Sequence, residues 1–187
     1  MLRQLTFTFV LLSFMTACKA QSAEVRPTTN RLETKAVECR KSPIAISSMR
    51  LGDAYAKIVY GQPHLRGRTM LGKIESYGDV WRLGANEATE IFTNTDLKIG
   101  DKVLPAGAHS MFAIPYEDRW TLIFNKGLGQ WGAYAYDEDE DVIRVDAKRS
   151  NPDKEFEAFT MWFSDAGDKL NMAWGKDMVS FPVSFVK

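Results

Sequence analysis

The chain has 187 residues, of which 45% are hydrophobic and 26% are charged, and this is typical of one ordinary globular domain. The composition excludes a disordered, fibrous or polytopic membrane protein. Lys plus Arg and Asp plus Glu each total 24, so the chain has no excess of basic charge that would favour a nucleic-acid partner.

The N-terminus has the pattern of an export signal. Residues 5–17 are almost entirely apolar and follow a single charge, Arg3. The run is shorter than the roughly 20 residues that a helix needs to span a bilayer, so it is typical of a signal peptide. We therefore expect residues 1–17 to be removed and the protein to be exported.

The signal ends in a motif that predicts lipidation. Residues 15–18, Met-Thr-Ala-Cys, resemble the lipobox of bacterial lipoproteins, in which the Cys becomes the lipidated N-terminus after cleavage. This predicts lipidation of Cys18 and a membrane partner in the cell envelope, in the periplasm or at the outer membrane. The alternative is an ordinary signal peptide cleaved near Ala20 or Ala23, which also exports the protein.

A polar segment separates the signal from the domain. Residues 18–41 contain no aromatic side chain and show no sustained period of two or 3.6. Such a segment buries too little apolar surface to offset its ordering entropy, so it predicts a flexible tether. We expect the folded domain to occupy residues 42–187.

From residue 42 onward the pattern is one of short strands separated by turns. Alternating apolar and polar residues or short apolar runs predict strands at residues 97–99, 102–104, 109–114, 120–125, 156–163, 170–174 and 179–185. Gly100-Asp101 fits a two-residue turn. This spacing predicts an all-β fold, an antiparallel β-sandwich or jelly roll of about nine or ten strands. Pro182 predicts that the last strand lies at a sheet edge, because proline cannot donate a ladder hydrogen bond.

Three segments carry polar, aromatic and glycine residues that the strand pattern does not require. They are residues 60–68, 77–89 and 125–134. In the first segment, His64, Arg66 and Arg68 occupy every second position, so their side chains would point the same way if the backbone is extended. We take these segments as the candidates for function.

Five separated motifs occur in order along this region. They are Tyr-Gly-x-Pro followed by Gly-Arg (60–68), Trp-Arg-x-Gly-Ala-Asn-Glu (81–87), Leu-Pro-Ala-Gly (104–107), Trp-Thr-x-Ile-x-Asn-Lys (120–126) and Gln-Trp-Gly-Ala-Tyr (130–134). The series resembles the family called domain of unknown function 2911, found in exported bacterial proteins. The resemblance implies one exported, β-rich domain, and it assigns neither an activity nor a catalytic residue.

The same segments contain side chains suited to holding a ligand. Guanidinium groups match carboxylates and phosphates through paired donors, and exposed aromatic rings offer a face to sugars. The predicted ligand-binding residues are Arg66, Arg68, Trp81, Arg82, Asn86, Glu87 and Trp131. They favour a non-catalytic binding module with a cleft for an anionic or glycan ligand. The alternative is a structural network in which the arginines pair with Glu87, Glu90 or Asp79.

Two further functions remain open. An exported hydrolase would use Glu87 as acid or base, assisted by His64 or His109. A structural envelope protein would bind no small ligand. The two histidines with a glutamate would also supply metal ligands, but their separation by 45 positions matches no recognised ligand spacing. We therefore expect neither a metal nor a cofactor.

Overall fold

The computed structural model describes residues 40–186, which form a domain of eleven strands. In chain order these are β1 (Ile44–Leu51), β2 (Ala54–Gly61), β3 (Thr89–Thr93), β4 (Leu97–Ile99), β5 (Lys102–Leu104), β6 (Gly107–Pro115), β7 (Arg119–Asn125), β8 (Asp141–Lys148), β9 (Phe156–Phe163), β10 (Lys169–Gly175) and β11 (Asp177–Phe185). The predicted signal peptide, Cys18 and nearly all of the predicted tether lie outside the described residues. None of the described residues belongs to a helix long and apolar enough to cross a membrane.

The strands form two antiparallel sheets. One sheet has six strands in the order β1-β2-β3-β6-β7-β8, and the other has five in the order β5-β4-β11-β10-β9. The predicted all-β, sandwich-like fold is therefore confirmed, with eleven strands instead of nine or ten. Among the strands that follow β2, the sequence did not predict β3 and β8. In β3 the polar Thr89 and Thr93 are buried and the apolar Phe92 is exposed, so the alternation of apolar and polar residues that marks a half-buried strand is weak.

The position of β11 differs from the edge position that Pro182 predicted. The strand pairs with β10 from Asp177 to Pro182 and with β4 from Val183 to Phe185, so it lies inside its sheet. The carbonyl of Pro182 accepts a hydrogen bond from the N–H of Gly100, 2.8 Å away, just beyond the end of β4. Proline has no N–H to donate. At Pro182 no ladder hydrogen bond is lost, because the neighbouring strand β4 has already ended at Ile99.

The main core lies between the two sheets and contains a cluster of large rings. Trp81 stacks on Trp174 with ring centroids 5.5 Å apart and meets the edges of Trp120 and Phe159 at 5.8 and 5.0 Å. All four rings are almost completely buried. Aromatic pairs of this kind contribute about 0.5–1.5 kcal/mol each beyond the burial of their area.

A second, smaller core lies on the outer face of the six-stranded sheet. It consists of Ala88, Phe112, Ile114 and Ile123, and residues on the connection from β7 to β8 pack against it. We call residues 126–140 of that connection the β7–β8 loop. Because the loop has its own apolar contacts with the sheet, it is anchored along the sheet surface and brings its glycine-rich segment next to β3.

Candidate functional site

Two of the candidate segments pair with each other on the outer surface. The N–H of Ala88 donates to the carbonyl of Gln130, and the N–H of Gly132 donates to the carbonyl of Asn86, both at 2.9 Å. Glu87 and Trp131 therefore lie opposite each other in an antiparallel bridge. The two bonds flank this pair, which is the arrangement that brings opposing side chains closest together, on the same face. We call residues 86–88 and 130–132 the bridge site.

The backbone at the bridge site takes conformations that few residues tolerate. Asn86 has φ 68° and Gly132 has φ 71°, both in the left-handed region. Asn and Gly are the residues that adopt this region most readily, so the sequence encodes the turn locally.

A glycine of β2 holds the same turn against the sheet. The N–H of Ala85 donates to the carbonyl of Gly61 at 3.1 Å. A Cβ on Gly61 would overlap the carbonyl oxygen of Ala85, so only glycine allows the two backbones to approach this closely.

Arg82 lies beside the bridge site and is half-buried. Its Nε donates to the carbonyl of Gly84 at 3.3 Å, and its Nη1 borders Gly132, as does the ring of Tyr134. Burial raises the pKa of the Glu75 carboxyl, and the positive charge of Arg82 partly offsets that rise. Arg82 therefore lies next to the bridge site, and its positive charge also acts on the Glu75 carboxyl.

Exposed aromatic side chains project from the β7–β8 loop. Trp131 is 60% exposed and Tyr134 is 87% exposed, and Leu128 on the same loop is also exposed. The N–H of Gly129 donates to Glu90 Oε1 at 2.8 Å, which fastens this part of the loop to β3. The exposed rings are thus carried by a loop with hydrogen bonds to the sheet.

Beneath the loop lies a chain of polar contacts around Gly127. Its carbonyl accepts hydrogen bonds from Ser110 Oγ and Gln130 Nε2, and its N–H donates to Asn125 Oδ1. A Cβ at Gly127 would meet Glu140 Oε2 at 2.8 Å, so the loop packs closely here. These side chains fix the loop and hold Gln130 in one orientation.

The far end of the loop is fixed by Asp141. Its carboxylate accepts hydrogen bonds from Asn125 Nδ2, Tyr136 Oη and Arg144 Nε at 2.7–2.8 Å. Burial, with the nearby Asp141 carboxylate, raises the pKa of Tyr136 to about 12. Within the acidic run 137–141, Glu138–Glu140 form an exposed 3₁₀ turn, whereas Asp141 is mostly buried and serves as an anchor.

A pocket opens next to the bridge site. Its volume is about 300 Å³, and it is lined by Ile44, Val59, Tyr60, Gly61, Glu87, Ala88, Glu90, Gly129 and Gln130. We call it the glutamate pocket. Its walls combine apolar side chains with hydrogen-bond acceptors. Among the described residues, no group donates to the buried Gln130 Oε1.

Arg66 and Arg68 lie elsewhere on the domain. Arg66 and the following Gly67 have φ 49° and 72°, so the segment is not extended and the predicted alignment of His64, Arg66 and Arg68 does not form. Arg66 Nη2 donates to the carbonyl of Lys41, and Arg68 Nε and Nη2 donate to the carbonyls of residues 65 and 64. These guanidinium groups therefore bind backbone carbonyls of their own surroundings.

Of the other predicted residues, Trp81, His64 and His109 do not belong to the bridge site, whereas Glu90 lies beside it. Trp81 is 2% exposed and belongs to the main core. His109 is 8% exposed and is paired with Ile91 on the inner face of the six-stranded sheet, where burial lowers its pKa. Glu90 pairs with Ser110 on the opposite, outer face. His64 forms an isolated bridge with Ala158 of β9.

The structure also adds residues that the sequence did not assign to the site. Tyr134 and Gln130 were visible as part of the Gln-Trp-Gly-Ala-Tyr motif, so a signal existed for them. Ile44 and Val59 form a wall of the glutamate pocket. They carried no signal, because an apolar residue in a strand gives no indication of which sheet face it occupies.

Comparison with known proteins identifies the family. The model of the family described as protein of unknown function (DUF2911) matches residues 42–183. That range begins just before β1 and ends within β11. Comparison with curated proteins and with solved structures gave no significant match.

Proposed function

This chain belongs to the DUF2911 family, and we propose that it is an exported, lipid-anchored and non-catalytic module that binds a glycan at the bridge site. The observation that carries the proposal is the exposed ring of Trp131 opposite Glu87, on a loop fixed by hydrogen bonds to the sheet. A fixed aromatic face with polar groups beside it suits a sugar ring, whose C–H face is apolar and whose edge carries hydroxyls.

The charge of Glu90 favours a glycan over an acidic ligand. Glu90 lines the glutamate pocket, and a carboxylate accepts hydrogen bonds from sugar hydroxyls while repelling anions. Arg66 and Arg68 were the sequence-based reason to expect an anionic ligand. Their guanidinium groups donate to backbone carbonyls outside the bridge site. The bridge site therefore supports the glycan alternative.

The position of His109 argues against a hydrolase that pairs this histidine with Glu87. An acid–base pair must lie within hydrogen-bond reach of the same reacting group. The imidazole of His109 is buried on the inner face of the sheet, whereas the glutamate pocket opens on the outer face. A hydrolase that pairs Glu87 with His109 would need both groups on one face.

We expect the substitution Trp131→Ala to weaken glycan binding about 30-fold, because truncation of a central aromatic contact costs about 2 kcal/mol. Binding is measured by affinity electrophoresis in gels with soluble chitin- and cellulose-derived polysaccharides. The melting temperature should stay almost unchanged, since the ring is 60% exposed.

The matched control is Trp162→Ala. Trp162 lies on β9 of the five-stranded sheet, where its ring stacks on Phe156 at 5.5 Å. This variant should keep full glycan affinity. Equal losses in the two variants, or no retardation of the wild type by any polysaccharide, would contradict the proposal.

Lipid anchoring has its own test at Cys18. The substitution Cys18→Ser removes the thiol that the lipobox motif predicts to be acylated, so the protein should move from the membrane fraction to the soluble exported fraction. Cell fractionation with immunoblotting measures this, together with mass spectrometry of the mature N-terminus. A wild-type N-terminus that begins after Ala20 or Ala23 would refute the lipid anchor and leave export in place.

A further inference from the structure

The glutamate pocket has two chemically distinct sides. Ile44, Val59 and Ala88 supply apolar contacts, whereas Glu90 supplies a carboxylate acceptor. A ligand group that fits both sides needs an apolar end and a hydrogen-bond donor close together. A plain sugar hydroxyl has the donor and lacks the apolar end.

Gln130 adds an acceptor with a defined orientation. Its Nε2 donates to the carbonyl of Gly127 at 3.0 Å, and this bond requires the nitrogen on that side of the amide. The other polar atom of the amide, Oε1, is buried and has no hydrogen-bond partner among the described residues. Gln130 as a whole is only 9% exposed. A buried acceptor without a donor is unfavourable, and a ligand N–H would remove that cost.

We propose that the glutamate pocket receives the acetamido group of a 2-acetamido sugar, an inference that rests on glycan binding at the bridge site. The amide N–H of this group donates to an acceptor of the pocket, Gln130 Oε1 or the Glu90 carboxylate. Its methyl group contacts Ile44 and Val59, and the sugar ring lies against Trp131. The pocket thereby distinguishes sugars by the substituent at C2.

Three hexasaccharides with the same β-1,4 linkage test this specificity by isothermal titration calorimetry. They are chitohexaose with acetamido groups, cellohexaose with hydroxyls and the glucosamine hexamer with ammonium groups at C2. We expect chitohexaose to bind at least about tenfold more tightly than cellohexaose, because pocket contacts with one small group give discrimination of that size.

The outcomes separate the inference from the proposed function. Equal affinity for chitohexaose and cellohexaose would overturn the acetamido pocket and leave glycan binding intact. Tighter binding of the glucosamine hexamer would also overturn it, in favour of a carboxylate–ammonium contact. Binding of none of the three, with no polysaccharide retarding the protein in gels, would refute both.

A variant that fills the pocket links the specificity to this place. Val59→Phe should lower the affinity for chitohexaose to about that for cellohexaose measured with the same variant, so that the preference between the two sugars is lost. The control is Val103→Phe, on exposed β5 of the other sheet, which should retain the preference. If Val59→Phe lowers the melting temperature, the exposed Ile44→Ala replaces it and should reduce the preference several-fold. A preference that persists in the pocket variants would overturn the inference.

Discussion

The substitution Trp81→Ala is expected to lower the melting temperature of the domain by roughly 6–20 °C, which corresponds to a loss of about 3–5 kcal/mol of unfolding free energy. Trp81 contacts Trp120, Phe159 and Trp174, and the cavity left by its ring would lie between the two sheets. Its Nε1 also donates to the carbonyl of Gly84 at 3.1 Å, so the turn before β3 would lose an anchor. Differential scanning calorimetry measures the change.

The control for this prediction is Trp131→Ala, which removes the same side chain from an exposed position. Its melting temperature should lie within about 2 °C of the wild type. Similar melting of both variants would contradict the assignment of Trp81 to the core and Trp131 to the surface.

The second large effect is expected for Gly61→Ala. The added Cβ would overlap the Ala85 carbonyl oxygen, so one backbone segment must shift. We expect a loss of about 3 kcal/mol, as for other overpacked positions, and a decrease of roughly 6–12 °C in the melting temperature. Because Ala85 directly precedes the bridge site, glycan affinity should fall as well, and both quantities are measured on the same preparation.

Gly52→Ala is the matched control for the second prediction. Gly52 lies in the turn between β1 and β2 with φ 59°, and a Cβ there meets no atom within 4 Å. Strain of the left-handed backbone should cost about 1–2 kcal/mol and leave glycan affinity unchanged. If Gly61→Ala melts like this control and binds glycan normally, the close approach of Gly61 to Ala85 is not required.

The bridge site depends on contacts far apart in the sequence. The turn around Asn86 is held by Gly61 and by Gly132, and the β7–β8 loop is held by Glu90, Ser110 and Asp141. A rigid sheet that positions a polar and aromatic loop is a common arrangement for binding. Substitutions in these supports should therefore change affinity without touching a ligand.

The sequence by itself determined the local features of this protein. Alternation of apolar and polar residues predicted the strands that became β10 and β11, and Gly100-Asp101 predicted the β4–β5 turn. The family and the all-β sandwich followed from motifs and spacing. These features depend on residues close together in the chain, because side-chain period and turn chemistry act over a few positions.

Only the tertiary structure decided which residues share a surface. Trp81 and Trp131 are both close to glycines in the sequence. In the structure Trp81 is buried between the two sheets, whereas Trp131 faces solvent. Arg82 borders the bridge site, whereas Arg66 and Arg68 bind backbone carbonyls on another part of the domain. Pro182 lies in a strand with neighbours on both sides. A proline is tolerated there because the neighbouring strand β4 ends beside it. The physical reason is common to all three cases: burial and partners depend on which strands and loops pack together, and such long-range contacts are not encoded in any single segment.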